Sequence, residues 1–147
     1  MREALGRPLV LVVDDDADHG TMLEALLEAD GFSVVIATSR AQARAILESR
    51  MVDVLVADLS LGDGTALDLV AGLGTHRPRV AIVLSGFDSV ADIERTMRAG
   101  YDAHLAKPTP LEVLRQVIKT GLSRMPSGVR LAKATLPSTP KSKRSAI

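Results

Sequence analysis

Apolar residues in this chain follow two alternating rhythms. Near-continuous runs of Val, Leu, Ile and Ala occupy 9–13, 32–37, 52–57, 80–84 and 103–106, each short enough to be one strand. Between them, apolar positions recur every three or four residues. Apolar strands alternating with helical segments predict a parallel sheet buried on both faces. Met22, Leu23, Leu26 and Leu27 mark the first helix, and Gly31 closes it. Ser39 and Gln42 form a capping-box pattern ahead of a helix reaching about Ser49. Leu61-Gly62-Asp63-Gly64-Thr65 is turn chemistry, and a short helix should follow, with Leu69 and Leu73 one turn apart. Ser89 and Asp92 cap a further helix whose Val90, Ile93 and Met97 are expected to face inward. Thr109 at the N-cap, Pro110 at N1 and Glu112 at N3 begin the last one, with Leu111, Leu114 and Ile118 as its buried stripe. The expected fold is α/β: a doubly wound, five-stranded parallel sheet flanked by five helices.

Composition changes this picture little. A chain of 147 residues is long enough for one domain with a real core. The aromatic residues are Phe32, Phe87 and Tyr101, so that core must be aliphatic. Without cysteine there is no disulfide framework and no thiolate metal site. No apolar stretch approaches the length of a membrane span, and the first eight residues lack the apolar core of a signal peptide. The expectation is a cytoplasmic protein with no membrane partner.

Charge divides the chain. All 18 acidic residues lie at or before Glu112, whereas from Ser123 onward there are Arg124, Arg130, Lys133, Lys141, Lys143 and Arg144 and no acids. The expected organisation is an N-terminal extension over 1–8, a domain over 9–122, and a basic tail over 123–147. The tail's Pro, Gly, Ser and Lys content reads as disordered. No aromatic residue interleaves its basic ones, which argues against nucleic-acid binding.

The candidate chemistry sits where the apolar runs end. The first run leads into Asp14-Asp15, the third into Asp58 and the last into Lys107-Pro108. In parallel sheets the ligand crevice lies outside the carboxyl ends of the strands. Three acids and a lysine converging there suit a divalent cation and a phosphoryl group.

Those strand-end residues, with Val12-Val13 before the paired acids and Leu84-Ser85-Gly86, resemble the response-regulator receiver domain of two-component signalling over roughly 9–122. Leu84-Ser85-Gly86-Phe87 with His104-Leu105-Ala106-Lys107-Pro108 is closest in style to receivers of hybrid sensor kinases. The resemblance implies that Asp58 is the phosphoacceptor and also a ligand of Mg²⁺. It implies that Asp15 binds the ion directly, Asp14 through water, and Ser60 through its backbone carbonyl. Lys107 would pair with a phosphoryl oxygen, and Ser85 would donate its hydroxyl to another. A cis bond before Pro108 would aim the lysine. His104 takes the place of the rotating aromatic switch, either as a variant of it or as a packing residue. Other departures from the family pattern are Gly62 for Pro, Ala66 for Gly, and Gly86 for Ala.

The implied function is a single-domain regulator. It would take its phosphoryl group from a histidine kinase or histidine phosphotransfer protein and signal by protein–protein contact. Such a receiver promotes its own phosphorylation and dephosphorylation and is not a turnover enzyme; Ser60 and Phe87 would flank the attacking water. Arg95 and Arg98 are the candidate contacts with a downstream target. The alternative is a phosphorylation-independent pseudo-receiver serving as scaffold or adaptor. A dehalogenase-like phosphatase fits Asp14-x-Asp16 but not Asp18, and a nucleotide-binding turn would need glycines where Asp14-Asp15-Asp16 stand. Asp16 and Asp18 read as acids complementing a helix dipole, and His19 and His76 as surface residues. Asp53, Asp63 and Asp68 have no partner legible in the sequence. The cognate kinase, the target, the phosphoryl lifetime and the oligomeric state are open.

Overall fold

The computed structural model describes residues 6–86 and 89–124. The expectations for most of the N-terminal extension, for Phe87 and for the basic tail beyond 124 fall outside the described residues. In chain order the elements are β1 (Leu9–Val13), α1 (Ala17–Ala29), β2 (Ser33–Ala37), α2 (Arg40–Ser49), β3 (Val54–Asp58), β4 (Ser60–Leu61), β5 (Gly64–Thr65), β6 (Val80–Ser85), α3 (Val90–Arg98), β7 (Ala103–Ala106) and α4 (Leu111–Arg124).

Five strands form one sheet in the order β2-β1-β3-β6-β7, with every pairing parallel. Strand residues alternate between two apolar clusters. Leu9, Leu11, Val13, Leu55, Ala57, Ala81 and Val83 face α2 and the 66–73 segment, through Ala43, Leu47, Ala66, Leu69 and Leu73. Val10, Val12, Val54, Val56, Ile82 and Leu84 face α1 and α4, through Leu23, Leu27, Leu114 and Ile118. This two-sided burial is why the strands read as continuous apolar runs rather than alternating ones. The strand order reverses direction at β1 and β3, and that switch point is where such sheets open a crevice.

Most caps follow the sequence. Asp16 caps α1, Ser39 Oγ accepts from Gln42 N in α2, and Ser89 Oγ accepts from Asp92 N in α3. Gly31 closes α1 at φ +98°, a conformation that glycine adopts without steric cost. α4 starts at Leu111, and the Thr109 hydroxyl donates to the Ala106 carbonyl at 2.6 Å, tying the helix entry back to β7. Gly121 lets α4 lie close on β6: a Cβ there would stand 2.7 Å from Val80 Cγ2.

Two expectations are corrected. The described residues form four α-helices, not five. In place of the short helix after β3 there is a two-stranded β4–β5 hairpin, then turns, then a 3-10 turn at Gly74–His76. Leu69 and Leu73 are buried as expected. However, Gly72 and Gly74 take left-handed φ of +71° and +58°, and Arg44 Nη1 donates to the carbonyls of Asp68, Leu69 and Ala71. A guanidinium from α2 thus takes carbonyls that a helix would have bonded within itself. Secondly, Val90 and Ile93 do not face inward: Val90 is 72% exposed and Ile93 is exposed too. The buried residue of α3 is Thr96, because the helix covers β7 at the edge of the sheet and meets it along a narrow strip.

Candidate functional site

The parallel register brings the carboxyl ends of β1 and β3 side by side, so Asp14 and Asp15 stand next to Asp58. One carboxylate oxygen from each of the three lies within 4.8 Å of the others. Lys107 arrives from the end of β7, held by its backbone N–H to the Ser85 carbonyl at 2.8 Å, and its Nζ stands 3.1 Å from Asp58 Oδ1. The Lys107–Pro108 bond is cis. These residues line a cleft of about 800 Å³ that continues between α1 and α4 past Met22, Leu26 and Leu111.

Burial differs across the cluster. Asp14 is 2% exposed, Asp15 is open to solvent, and Asp58 lies between. Burial pushes the Asp58 carboxyl above its usual value; the Lys107 hydrogen bond and charge pull it back, and the Asp14 and Asp15 charges push it up again. The net direction is up. Three carboxylates facing one ammonium leave uncompensated negative charge, and hard oxygen donors of this kind suit Mg²⁺ or Ca²⁺ rather than a softer metal.

The other candidates from the sequence are placed as follows. Ser60 is exposed in β4, opposite Thr65 of β5. The hairpin turn reaches back over the acids: a Cβ on Gly62 would sit 3.7 Å from Asp15 Oδ2, so a larger residue there would be in ordinary contact. Ser85 ends β6 and is 1% exposed, but it does not line the cleft. His104 also lies away from the cleft. Its Nδ1 is 2.9 Å from Thr96 Oγ1, and that hydroxyl donates to the Asp92 carbonyl at 3.0 Å. The threonine has a single O–H, so it accepts from an Nδ1–H of His104.

Several residues had roles that the sequence reading missed. His19 is half-buried rather than free at the surface, and its Nδ1 bonds Asp14 Oδ2. Asp63, in the hairpin turn, accepts from the backbone N–H groups of Arg40 and Ala41 at 2.8 and 3.1 Å, capping α2 from outside and holding its own carboxyl below the usual value. Asp68 pairs with Arg40 through both guanidinium contacts. The hairpin that carries Ser60 is therefore fastened to α2. A signal existed for His19, since a histidine in the first turn of a helix capped by Asp16 lies back over the preceding strand end. None existed for Asp63 and Asp68, whose partners lie more than twenty residues away.

Residues 10–119 match the family model of the response regulator receiver domain, and the chain belongs to that family. It is 37% identical over 100 residues to the acid tolerance regulatory protein ActR of Sinorhizobium medicae, covering 67% of this chain and 52% of ActR. It is 28% identical over 119 residues to the transcriptional regulatory protein ZraR of Salmonella typhimurium, covering 80% of this chain but 27% of ZraR. The chain thus spans between a quarter and about half the length of these two curated relatives. Among solved structures, a CheY-like receiver domain from Methanospirillum hungatei superposes with a TM-score of 0.75 at 26% identity, over 82% of this chain and 97% of that one. A response regulator from Burkholderia pseudomallei, determined with a phosphorylated aspartic acid, calcium ion and citrate, superposes with a TM-score of 0.71 at 29% identity, over 80% of this chain and 69% of that one. No helix among the described residues is long and apolar enough to cross a membrane.

Proposed function

We propose that this receiver accepts a phosphoryl group on Asp58 from a phosphohistidine of a histidine kinase or phosphotransfer protein. A carboxylate oxygen of Asp58 attacks phosphorus, the O–P bond forms, and the N–P bond breaks with its electron pair returning to the donor imidazole. Little covalent chemistry is asked of the protein, so positioning and charge neutralisation carry the reaction. Lys107 stands ready to meet a phosphoryl oxygen as a point charge. Asp14, Asp15, Asp58 and the Ser60 carbonyl would hold Mg²⁺, which supplies positive charge against the phosphoryl oxygens and the clustered acids. Ser85 would complete the oxygen contacts; in this conformation it is buried and does not line the cleft.

The carrying observation is Lys107 Nζ at 3.1 Å from Asp58 with two further acids alongside. The test is intact-mass spectrometry after incubation with acetyl phosphate and Mg²⁺. A single phosphoryl adduct on the parent, missing from Asp58→Asn, is the expected result. No adduct on the parent would sink the proposal and favour the pseudo-receiver.

The finer reading is a single-domain, cytoplasmic regulator that signals through the face made by α3, β7 and α4. The choice of face is supported by exposed Val90, Ile93, Arg95 and Arg98 on α3 and exposed Val113 on α4. His104, bonded to Thr96, links β7 to α3 across that face.

A further inference from the structure

The sequence reading left His19 without a role, yet it touches the acid cluster. Its imidazole projects from the first turn of α1 into the cleft, and Nδ1 bonds Asp14 Oδ2. An ionised carboxylate only accepts, so Nδ1 must carry the proton and donate. The other oxygen of the same group, Asp14 Oδ1, accepts the backbone N–H of Asp16 at 2.9 Å. Asp14 is 2% exposed and its backbone N–H is bonded to the Ala37 carbonyl at 3.0 Å. Backbone, both carboxylate oxygens and burial thus all restrain one residue.

Asp15 and Asp58 are not held in this way by the helix. Three like charges within 4.8 Å repel, and the cheapest relief is to swing one carboxylate away. For Asp14 that swing would break the His19 bond.

We propose that His19 is a positioning residue for the cation site: its Nδ1–H locks the Asp14 carboxylate into the cluster, so that the ligand set is assembled before a divalent cation arrives. The inference rests on the receiver reading above and deepens it. Hydrogen bonds to metal-ligating carboxylates typically govern affinity by ten- to a hundred-fold. A merely structural His19, pinning the start of α1, would change stability alike with and without the ion and leave affinity unchanged. A histidine acting as a competing cation would give tighter ion binding once removed.

The test is Mg²⁺ titration by isothermal calorimetry on the parent, His19→Phe and His19→Asn, without phosphodonor. His19→Phe keeps an aromatic ring and loses the N–H. About tenfold or greater weakening is expected, with part of the affinity restored in His19→Asn, whose amide can donate. An unchanged or tighter dissociation constant in folded His19→Phe overturns the proposal. Should that variant not fold, ¹⁵N NMR of the parent decides: a neutral His19 protonated at Nε2 rather than Nδ1 overturns it equally. A parent that binds no Mg²⁺ refutes both this inference and the receiver reading. A parent that binds and is phosphorylated, with an indifferent His19→Phe, refutes the inference alone.

Discussion

The two ends of the sheet hold the same kinds of residue in opposite arrangements. At the N-terminal ends of the strands, two buried acids each have a cation and a backbone donor. Asp53 accepts from Leu9 N at 2.8 Å with Arg79 at 3.5 Å, and Asp102 accepts from Ala81 N at 2.8 Å and from Arg77 at 3.2 Å. At the C-terminal ends, Asp14, Asp15 and Asp58 cluster together, and the lysine there, Lys107, pairs with Asp58. The first arrangement is complete and joins strands. The second leaves negative charge over, which destabilises the fold unless a cation arrives. An acid in a core is therefore informative about function according to what it lacks, not according to how deeply it is buried.

The sharpest way to break this contrast is at the complete end. Asp102→Ala should cost about 3 kcal/mol or more, because Arg77 and the Ala81 N–H lose a buried partner. Urea denaturation measures it, and a loss below about 1 kcal/mol would show the N-terminal end to be no more structural than the other. Next in size, Mg²⁺ should stabilise the parent. Saturation to a hundred times the dissociation constant gives about 2.7 kcal/mol, read as a rise in melting temperature that Asp15→Asn should largely abolish. A rise of equal size in both proteins would place the ion elsewhere.

The smallest effect is the most pointed. With chelator present, Asp58→Asn should melt a few degrees or less above the parent at neutral pH. The folded state raises the Asp58 pKa, so it binds more protons than the unfolded chain in the window above the ordinary carboxylate value. Parent stability from this group is thus present at low pH and falls as pH rises through that window. The advantage of the variant should accordingly vanish on acidification. A variant less stable than the parent at neutral pH would mean that the Lys107 pair outweighs burial and repulsion.

The sheet was legible in the sequence because its strands are buried on both faces, a condition that leaves continuous apolar runs. The acids and lysine were legible for a related reason: they end those runs, and parallel topology brings strand ends together. The 66–73 segment was not. Leu69 and Leu73 carry helical spacing, but the same two leucines can be buried from a series of turns, and Arg40 and Arg44 of α2 decide between the two. Val90 and Ile93 misled in the opposite sense. Their spacing shows an apolar face, whereas only the breadth of the neighbouring sheet shows whether that face is covered. His19 was legible in part: its place in the first turn of α1, behind the Asp16 cap, sets it back over the end of β1, but which of the neighbouring acids it meets depends on how the helix leaves the strand.

One further residue turns the hairpin into something that can be watched. Tyr101 is fully buried, and its hydroxyl donates to the Ala66 carbonyl just beyond β5. Burial, helped by the Asp68 charge, holds its phenol well above the usual value. The chain has no tryptophan and no other tyrosine. Its near-ultraviolet spectrum therefore comes almost wholly from one ring, which ties the loop leading into β7 to the segment that follows β5. An alkaline absorbance titration would see no phenolate until that tie opens, which makes the protein its own optical gauge of whether the hairpin is seated.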